Sequence, residues 1–119
     1  MTCWLQGSPE MARIRLLILD VDGVLTDGKL YIGPDGQQWR TSHVRDGLGI
    51  KKLIRGGITP VVISGRPDGG MEPRMRALGV EECHWGQDDK CPILERILSE
   101  RNIASSEVAA MGDLSLIHI

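Results

Sequence analysis

The fold is decided by residues 14–27, which read IRLLILDVDGVLTD. Residues 14–19 form a short, nearly continuous apolar run, which is typical of a strand covered on both faces. The run ends in Asp20, Asp22 and Gly23. The stretch therefore predicts a buried strand that delivers two carboxylates and a glycine to a loop.

The rest of the chain carries further strand patterns. Apolar runs typical of buried strands recur at residues 60–63 and 108–111, with a weaker one at 82–85. Residues 29–32 and 37–40 flank a Gly-Pro-Asp-Gly turn signal, which predicts a β-hairpin after the first strand.

Helical patterns separate these strands. The predicted helices are one capped by Asp46 and ended by Gly56, one over residues 71–78, and one with Pro92 in its first turn. Repeated β–α units imply parallel strands joined by right-handed crossovers. The expected fold class is α/β, a three-layer Rossmann-like parallel sheet.

The composition indicates one globular domain of 119 residues. Fourteen Lys and Arg against 16 Asp and Glu give a formal net charge of −2, which speaks against nucleic acid or an anionic membrane as partner. The three cysteines lack paired spacing, and no apolar run suits a signal peptide or a bilayer span. A cytoplasmic location is expected.

Polar side chains follow the predicted strands where each strand ends. They are Asp20, Asp22, Ser64 and Asp113, with Lys90 in the loop after the third strand. Parallel sheets place their chemistry outside the carboxyl ends of the strands, so these groups are expected on one surface.

That set suits phosphoryl transfer assisted by Mg²⁺. A phosphate monoester is dianionic, so a carboxylate cannot approach it until a cation screens the charges. Hard oxygen ligands select Mg²⁺, and Asp20, Asp113 and the backbone carbonyl of Asp22 could supply them. Asp20 would attack phosphorus and form an aspartyl phosphate, while Asp22 would act as general acid and base.

The remaining groups match the substrate's negative charge. Ser64, the neighbouring backbone amide of Gly65 and Lys90 would bind the phosphoryl oxygens. Arg45 and Arg66 could hold an acidic substrate through paired hydrogen bonds. Each of these residues alone is more often an ordinary loop or surface group, so the prediction depends on their convergence at one sheet edge.

Residues 20–27, DVDGVLTD, match the pattern DxDGxxTD, and with Ser64, Lys90 and Gly112-Asp113 they resemble the four motifs of the haloacid dehalogenase superfamily of phosphatases. The strings VRDG at 44–47 and ISGR at 63–66 and the GQxxK pattern that ends at Lys90 are similar to the family of 3-deoxy-D-manno-octulosonate 8-phosphate phosphatases.

The resemblance implies a Mg²⁺-dependent phosphoric monoester hydrolase that acts in lipopolysaccharide biosynthesis. By this resemblance, Asp20 would be the nucleophile and a metal ligand, and Asp22 the general acid and base. Ser64 and Lys90 would bind the phosphate, and Asp113 would bind the metal. It also implies a capless enzyme that forms a homotetramer through the hairpin at residues 29–41.

The end of the chain departs from this pattern. Leu114 stands where the family has a second acid, and the last residues do not read as its next helix. We therefore predict an extension at residues 1–13, with Met11 as an alternative start, an incomplete phosphatase domain at 14–113, and a non-family tail at 114–119. A chain without its last strand is expected to be poorly stable or inactive.

Two other interpretations remain open. One is the phosphatase-like domain of an acylneuraminate cytidylyltransferase, or a phosphatase for a nine-carbon acidic sugar phosphate. The other is a receiver-type signalling domain, which also groups acids, a hydroxyl and a lysine around Mg²⁺. In a receiver the lysine follows the last strand, whereas Lys90 precedes residues 108–111.

Overall fold

The computed structural model describes residues 14–112. Asp113 and the expectations for residues 1–13 and 114–119 lie outside the described residues. The elements are β1 (Leu16–Leu19), β2 (Tyr31–Ile32), β3 (Gln38–Trp39), α1 (Val44–Arg55), β4 (Thr59–Ile63), α2 (Met71–Ala77), β5 (Glu82–His84), α3 (Cys91–Arg101) and β6 (Val108–Met111).

Four of the strands form one parallel sheet in the order β5-β4-β1-β6. The backbone N–H of Asp20 donates to the carbonyl of Met111 at 3.0 Å, and that of Ser64 donates to His84 at 2.8 Å. These bonds align the carboxyl ends of the four strands at one edge. The loops that follow β4 and β6, the two neighbours of β1, therefore begin on the same side of the sheet as Asp20.

The core lies on both faces of the sheet, which explains the unbroken apolar run of β1. Leu17 and Leu19 pack with Ile50 of α1 and Met75 of α2 on one face. Leu16 and Ile18 lie on the other face with the apolar stripe of α3. The predicted three-layer α/β architecture is confirmed.

The start of α1 corrects the sequence prediction. The helix begins at Val44, and His43 is its N-cap, with Nδ1 accepting the N–H of Arg45 at 3.0 Å. Asp46, the predicted cap, lies in the first turn instead. The backbone of His43 is extended, and its ring caps the helix by accepting the Arg45 amide. The helix therefore starts before Asp46, whose carboxylate had been the predicted cap.

The predicted hairpin is present as an antiparallel pair of short strands, β2 and β3. Its turn is closed by hydrogen bonds from Gly33 N to Gln37 O at 2.7 Å and from Gly36 N to Gly33 O at 3.0 Å. Gly36 has a φ of +85°, which a side chain would disfavour. The hairpin exposes its apolar side chains rather than burying them.

Within residues 14–112, no helix combines the length and the apolar composition that a bilayer crossing requires.

Candidate active site

The loop after β1 is a tight turn built on one carbonyl. The carbonyl oxygen of Val21 accepts backbone N–H groups from Val24, Leu25 and Thr26 at 2.8 to 3.2 Å. Gly23 has a φ of +83°, so the chain turns back sharply there. This turn holds the aspartates on either side of Val21 in a set geometry.

Asp20 is buried against a lysine. Its Oδ1 accepts the N–H of Val21 at 2.8 Å and lies 3.4 Å from Nζ of Lys90. Lys90 directly precedes α3, and its side chain is only 6% exposed. A buried ammonium is stable only when it is paired, and Asp20 supplies its partner.

Asp22 lies between two arginines. Its Oδ1 is 3.5 Å from Nε of Arg40, and its Oδ2 is 3.4 Å from Nε of Arg66. The side chain of Arg40 is 3% exposed, whereas that of Arg66 is 51% exposed. One guanidinium is therefore fixed in the protein, and the other reaches toward solvent.

The segment after β4 presents donors to the same edge. Ser64 is fully buried, and its Oγ accepts the N–H of Arg66 at 3.3 Å. Its backbone carbonyl accepts the N–H of Gln87 at 2.9 Å, which ties the segment to the loop that carries Lys90. The N–H groups of Asp22 and Gly65 have no hydrogen-bond acceptor among residues 14–112. They are available to an anion at this edge.

The structure brings most of the predicted site residues together. Asp20 and Lys90 form one ion pair and Asp22 and Arg66 another, and Ser64 bonds to the amide of Arg66.

Arg45 is a predicted residue that lies apart from this group. The side chain of Arg45 is exposed on the first turn of α1 and contacts none of these groups in the described part of the chain. Asp113 is outside that part, although it follows β6 by two residues, and β6 pairs with β1.

Arg40 is the residue that the sequence analysis missed as a site residue. It appeared there only as the end of a hairpin strand. No short spacing connects it to Asp22, because the hairpin lies between them in the chain. The local sequence offers one signal for such a role, which is a basic residue directly after β3.

The residues present fit a hard cation such as Mg²⁺. Asp20 offers Oδ2, and Asp22 offers its main-chain carbonyl, since neither oxygen has a hydrogen-bond partner within residues 14–112. Over that range, no group of three His, Cys, Asp or Glu side chains is placed to hold a metal ion. A complete site therefore needs a further acid, and Asp113 is the next one along the chain after β6.

The chain is similar in sequence to proteins of known function. No protein-family model matches the chain. The 3-deoxy-D-manno-octulosonate 8-phosphate phosphatase KdsC of Salmonella typhimurium is 39% identical over 116 residues, which cover 94% of this chain and 62% of that protein.

Solved structures agree with this relative. The 3-deoxy-D-manno-octulosonate 8-phosphate phosphatase of Moraxella catarrhalis, in complex with a magnesium ion, a phosphate ion and a KDO molecule, matches with a TM-score of 0.84 at 33% identity, covering 95% of this chain and 63% of that one. A HAD superfamily (subfamily III A) hydrolase structure from Legionella pneumophila matches with a TM-score of 0.83 at 35% identity, covering 87% and 57%. The chain thus spans less than two thirds of the length of each of these proteins.

The likeness extends over nearly the whole described chain and includes sequence as well as fold. The predicted resemblance is confirmed. The chain is similar in sequence and in fold to hydrolases of the haloacid dehalogenase superfamily and, among them, to the 3-deoxy-D-manno-octulosonate 8-phosphate phosphatases.

Proposed function

We propose that the protein is a Mg²⁺-dependent phosphatase that hydrolyses 3-deoxy-D-manno-octulosonate 8-phosphate to the free sugar acid and phosphate, in lipopolysaccharide biosynthesis. The observation that carries the proposal is the buried pair of Asp20 and Lys90, with Asp22 and free amides at the same sheet edge. The relative from Salmonella typhimurium and the magnesium, phosphate and KDO bound in the Moraxella structure support it.

Asp20 is the proposed nucleophile. Its Oδ2 is the oxygen offered to the cation, so Oδ1, which lies 3.4 Å from the ammonium of Lys90, is the one that attacks phosphorus in line with the leaving oxygen. Asp20, the carbonyl of Asp22 and Asp113 would hold Mg²⁺, whose positive charge would reduce the repulsion between carboxylate and phosphate. Attack breaks the bond from phosphorus to the sugar oxygen and leaves an aspartyl phosphate on Asp20.

Asp22 is the proposed general acid and base. It gives a proton to the departing sugar oxygen and then takes one from the water that attacks the aspartyl phosphate. The amides of Asp22 and Gly65, the hydroxyl of Ser64 and the ammonium of Lys90 hold the phosphoryl oxygens through both steps.

Arg66 is the proposed contact to the acidic sugar. Because its side chain is half exposed, its guanidinium can turn from Asp22 to a substrate carboxylate. Arg45, exposed on the first turn of α1, stays a prediction for the same role.

Assembly and location are part of the same proposal. The exposed apolar side chains of Tyr31, Ile32 and Trp39, at 49%, 69% and 54%, suit a homotetramer built through the hairpin. The domain limits at residues 14–113, the extension and the tail stay predictions, as does the cytoplasmic location.

Phosphate release from a panel of acidic sugar phosphates tests the activity. The full-length protein should hydrolyse the eight-carbon 8-phosphate in preference to a nine-carbon acylneuraminate 9-phosphate, and chelation of Mg²⁺ should stop the reaction reversibly. Preference for the nine-carbon substrate would favour the alternative interpretation. Asp20→Asn should abolish turnover and leave the far-UV circular dichroism unchanged; an active variant contradicts the covalent mechanism.

A further inference from the structure

We propose that Arg40 is a positioning residue for Asp22, and that the same side chain fastens the hairpin to the catalytic loop. Its part in turnover rests on the proposed function. Its part in anchoring the hairpin rests on the geometry alone.

Arg40 is enclosed by three parts of the chain. It directly follows β3, and its Nη2 donates to the carbonyl of Pro67 at 2.8 Å. Its Nε lies 3.5 Å from Oδ1 of Asp22. A Cβ atom on Gly69 would lie 3.1 Å from its Nη2, so the loop after β4 closes tightly over the guanidinium. Arg40 thereby links the hairpin, the β1 loop and the β4 loop.

The positive charge of Arg40 is compensated by the carboxylate of Asp22. Among residues 14–112, the buried side-chain nitrogens that lack a hydrogen-bond partner are Nε and Nη1 of Arg40. A buried guanidinium is costly unless an anion compensates it, and Asp22 is the carboxylate that it faces. The attraction between them therefore restrains the rotamer of Asp22 and the docking of the hairpin together.

The second arginine makes this restraint important during turnover. Arg66 is free to leave Asp22 for a substrate carboxylate, because it is half exposed. Arg40 is 3% exposed and also bound to Pro67, so it stays in place. Asp22 then remains oriented by one fixed cation while the mobile one contacts the sugar.

A double-mutant cycle in the full-length protein separates positioning from general support of the fold. Arg40→Met should lower kcat about 10- to 100-fold and change KM less than about twofold, since misplacing a catalytic group by about 1 Å has effects of that size. In the Asp22→Asn background the same change should lower kcat less than about threefold. Arg40→Lys should recover part of the loss.

The matched control is Arg96→Met, which removes an exposed arginine on α3 that pairs with Glu100. It should leave both kinetic constants unchanged. The inference is overturned if Arg40→Met has the wild-type kcat. It is also overturned if Arg40→Met lowers kcat by the same factor in the wild-type and in the Asp22→Asn background.

Hydrogen exchange tests the anchoring without any turnover. The hydrogen-bonded backbone amides of Gly33 and Gly36 should exchange at least about tenfold faster in Arg40→Met than in the wild type, since a local opening that loses one restraint becomes more frequent. Arg96→Met should exchange as the wild type does. Unchanged exchange in Arg40→Met overturns the anchoring. A wild type that releases no phosphate from any acidic sugar phosphate overturns the proposed function instead and leaves this measurement valid.

Discussion

The ammonium nitrogen of Lys90 lies 3.4 Å from Oδ1 of Asp20, and the two side chains are only 6% and 13% exposed. The pair joins the end of β1 to the start of α3, two elements that are distant in the chain. Each charge compensates the other where water is largely excluded. The site and the stability of the fold therefore depend on the same contact.

Lys90→Met should lower the free energy of unfolding by about 3 kcal/mol, because it leaves the Asp20 carboxylate buried and unpaired. Urea denaturation measures the change. Lys51→Met, which removes an exposed lysine of α1, should change stability by less than about 0.5 kcal/mol. The double variant Lys90→Met/Asp20→Asn should recover most of the lost free energy of unfolding. If Lys90→Met and Lys51→Met lose the same amount of stability, the pairing of Lys90 with Asp20 is contradicted.

Two glycines of α1 should respond in opposite directions to alanine. A Cβ atom on Gly47 would lie 2.8 Å from Cδ2 of Leu78 and 2.9 Å from Nη2 of Arg74, whereas nothing lies within 4 Å of one on Gly49. Gly47→Ala should destabilise by up to about 2 kcal/mol, because overpacking against the buried Leu78 exceeds the gain in helix propensity. Gly49→Ala should stabilise by about 0.5 to 1 kcal/mol through helix propensity. Thermal unfolding of both variants checks the sign of each change.

Glu82 should give the protein a stability that is lost in acid. Burial by itself raises the pKa of Glu82, but hydrogen bonds from His84 and Arg101 outweigh it and hold that pKa below the usual 4.5. Because the folded pKa is the lower one, the contribution is present above the unfolded pKa and disappears as the pH falls through the folded value.

Unfolding of Glu82→Gln against the wild type from pH 7 to pH 3 measures this dependence. The variant should be the less stable at pH 7, and the difference should shrink below about pH 4.5. Glu100→Gln, at an exposed i,i+4 pair with Arg96, should show little difference throughout. A difference for Glu82→Gln that is independent of pH would count against the ion pair.

Cys83 should be a poor nucleophile in the folded protein. Burial, with a contribution from the nearby Glu72 carboxylate, raises the pKa of its thiol from 9.0 to about 11. The reactive species is the thiolate, so alkylation by iodoacetamide at pH 8 should be at least about tenfold slower for Cys83 than for the same cysteine in urea. Peptide mapping by mass spectrometry gives the rate, and equal rates in both states refute the prediction.

Most of the sheet could be predicted because its signals are local. The apolar runs at β1, β4 and β6 reflect burial on both faces, and that burial leaves its mark in consecutive residues. Asp20, Ser64 and Lys90 could be assigned to one edge for the same reason, since parallel strands align their carboxyl ends. The start of α1 was missed because Asp46 and His43 are both able to cap a helix. His43 is the cap because its backbone is extended and its side chain accepts the Arg45 amide.

The amino-acid sequence by itself determined the order of strands and helices, the parallel sheet and the aspartates, hydroxyl and lysine at its edge. These follow from periodicity and from residue types at strand ends. Only the tertiary structure decided which cations face which carboxylates: Lys90 with Asp20, and a buried Arg40 beside an exposed Arg66 at Asp22. Such pairings depend on how separate loops fold over one another, and long-range packing of this kind has no signature in the spacing of residues along the chain.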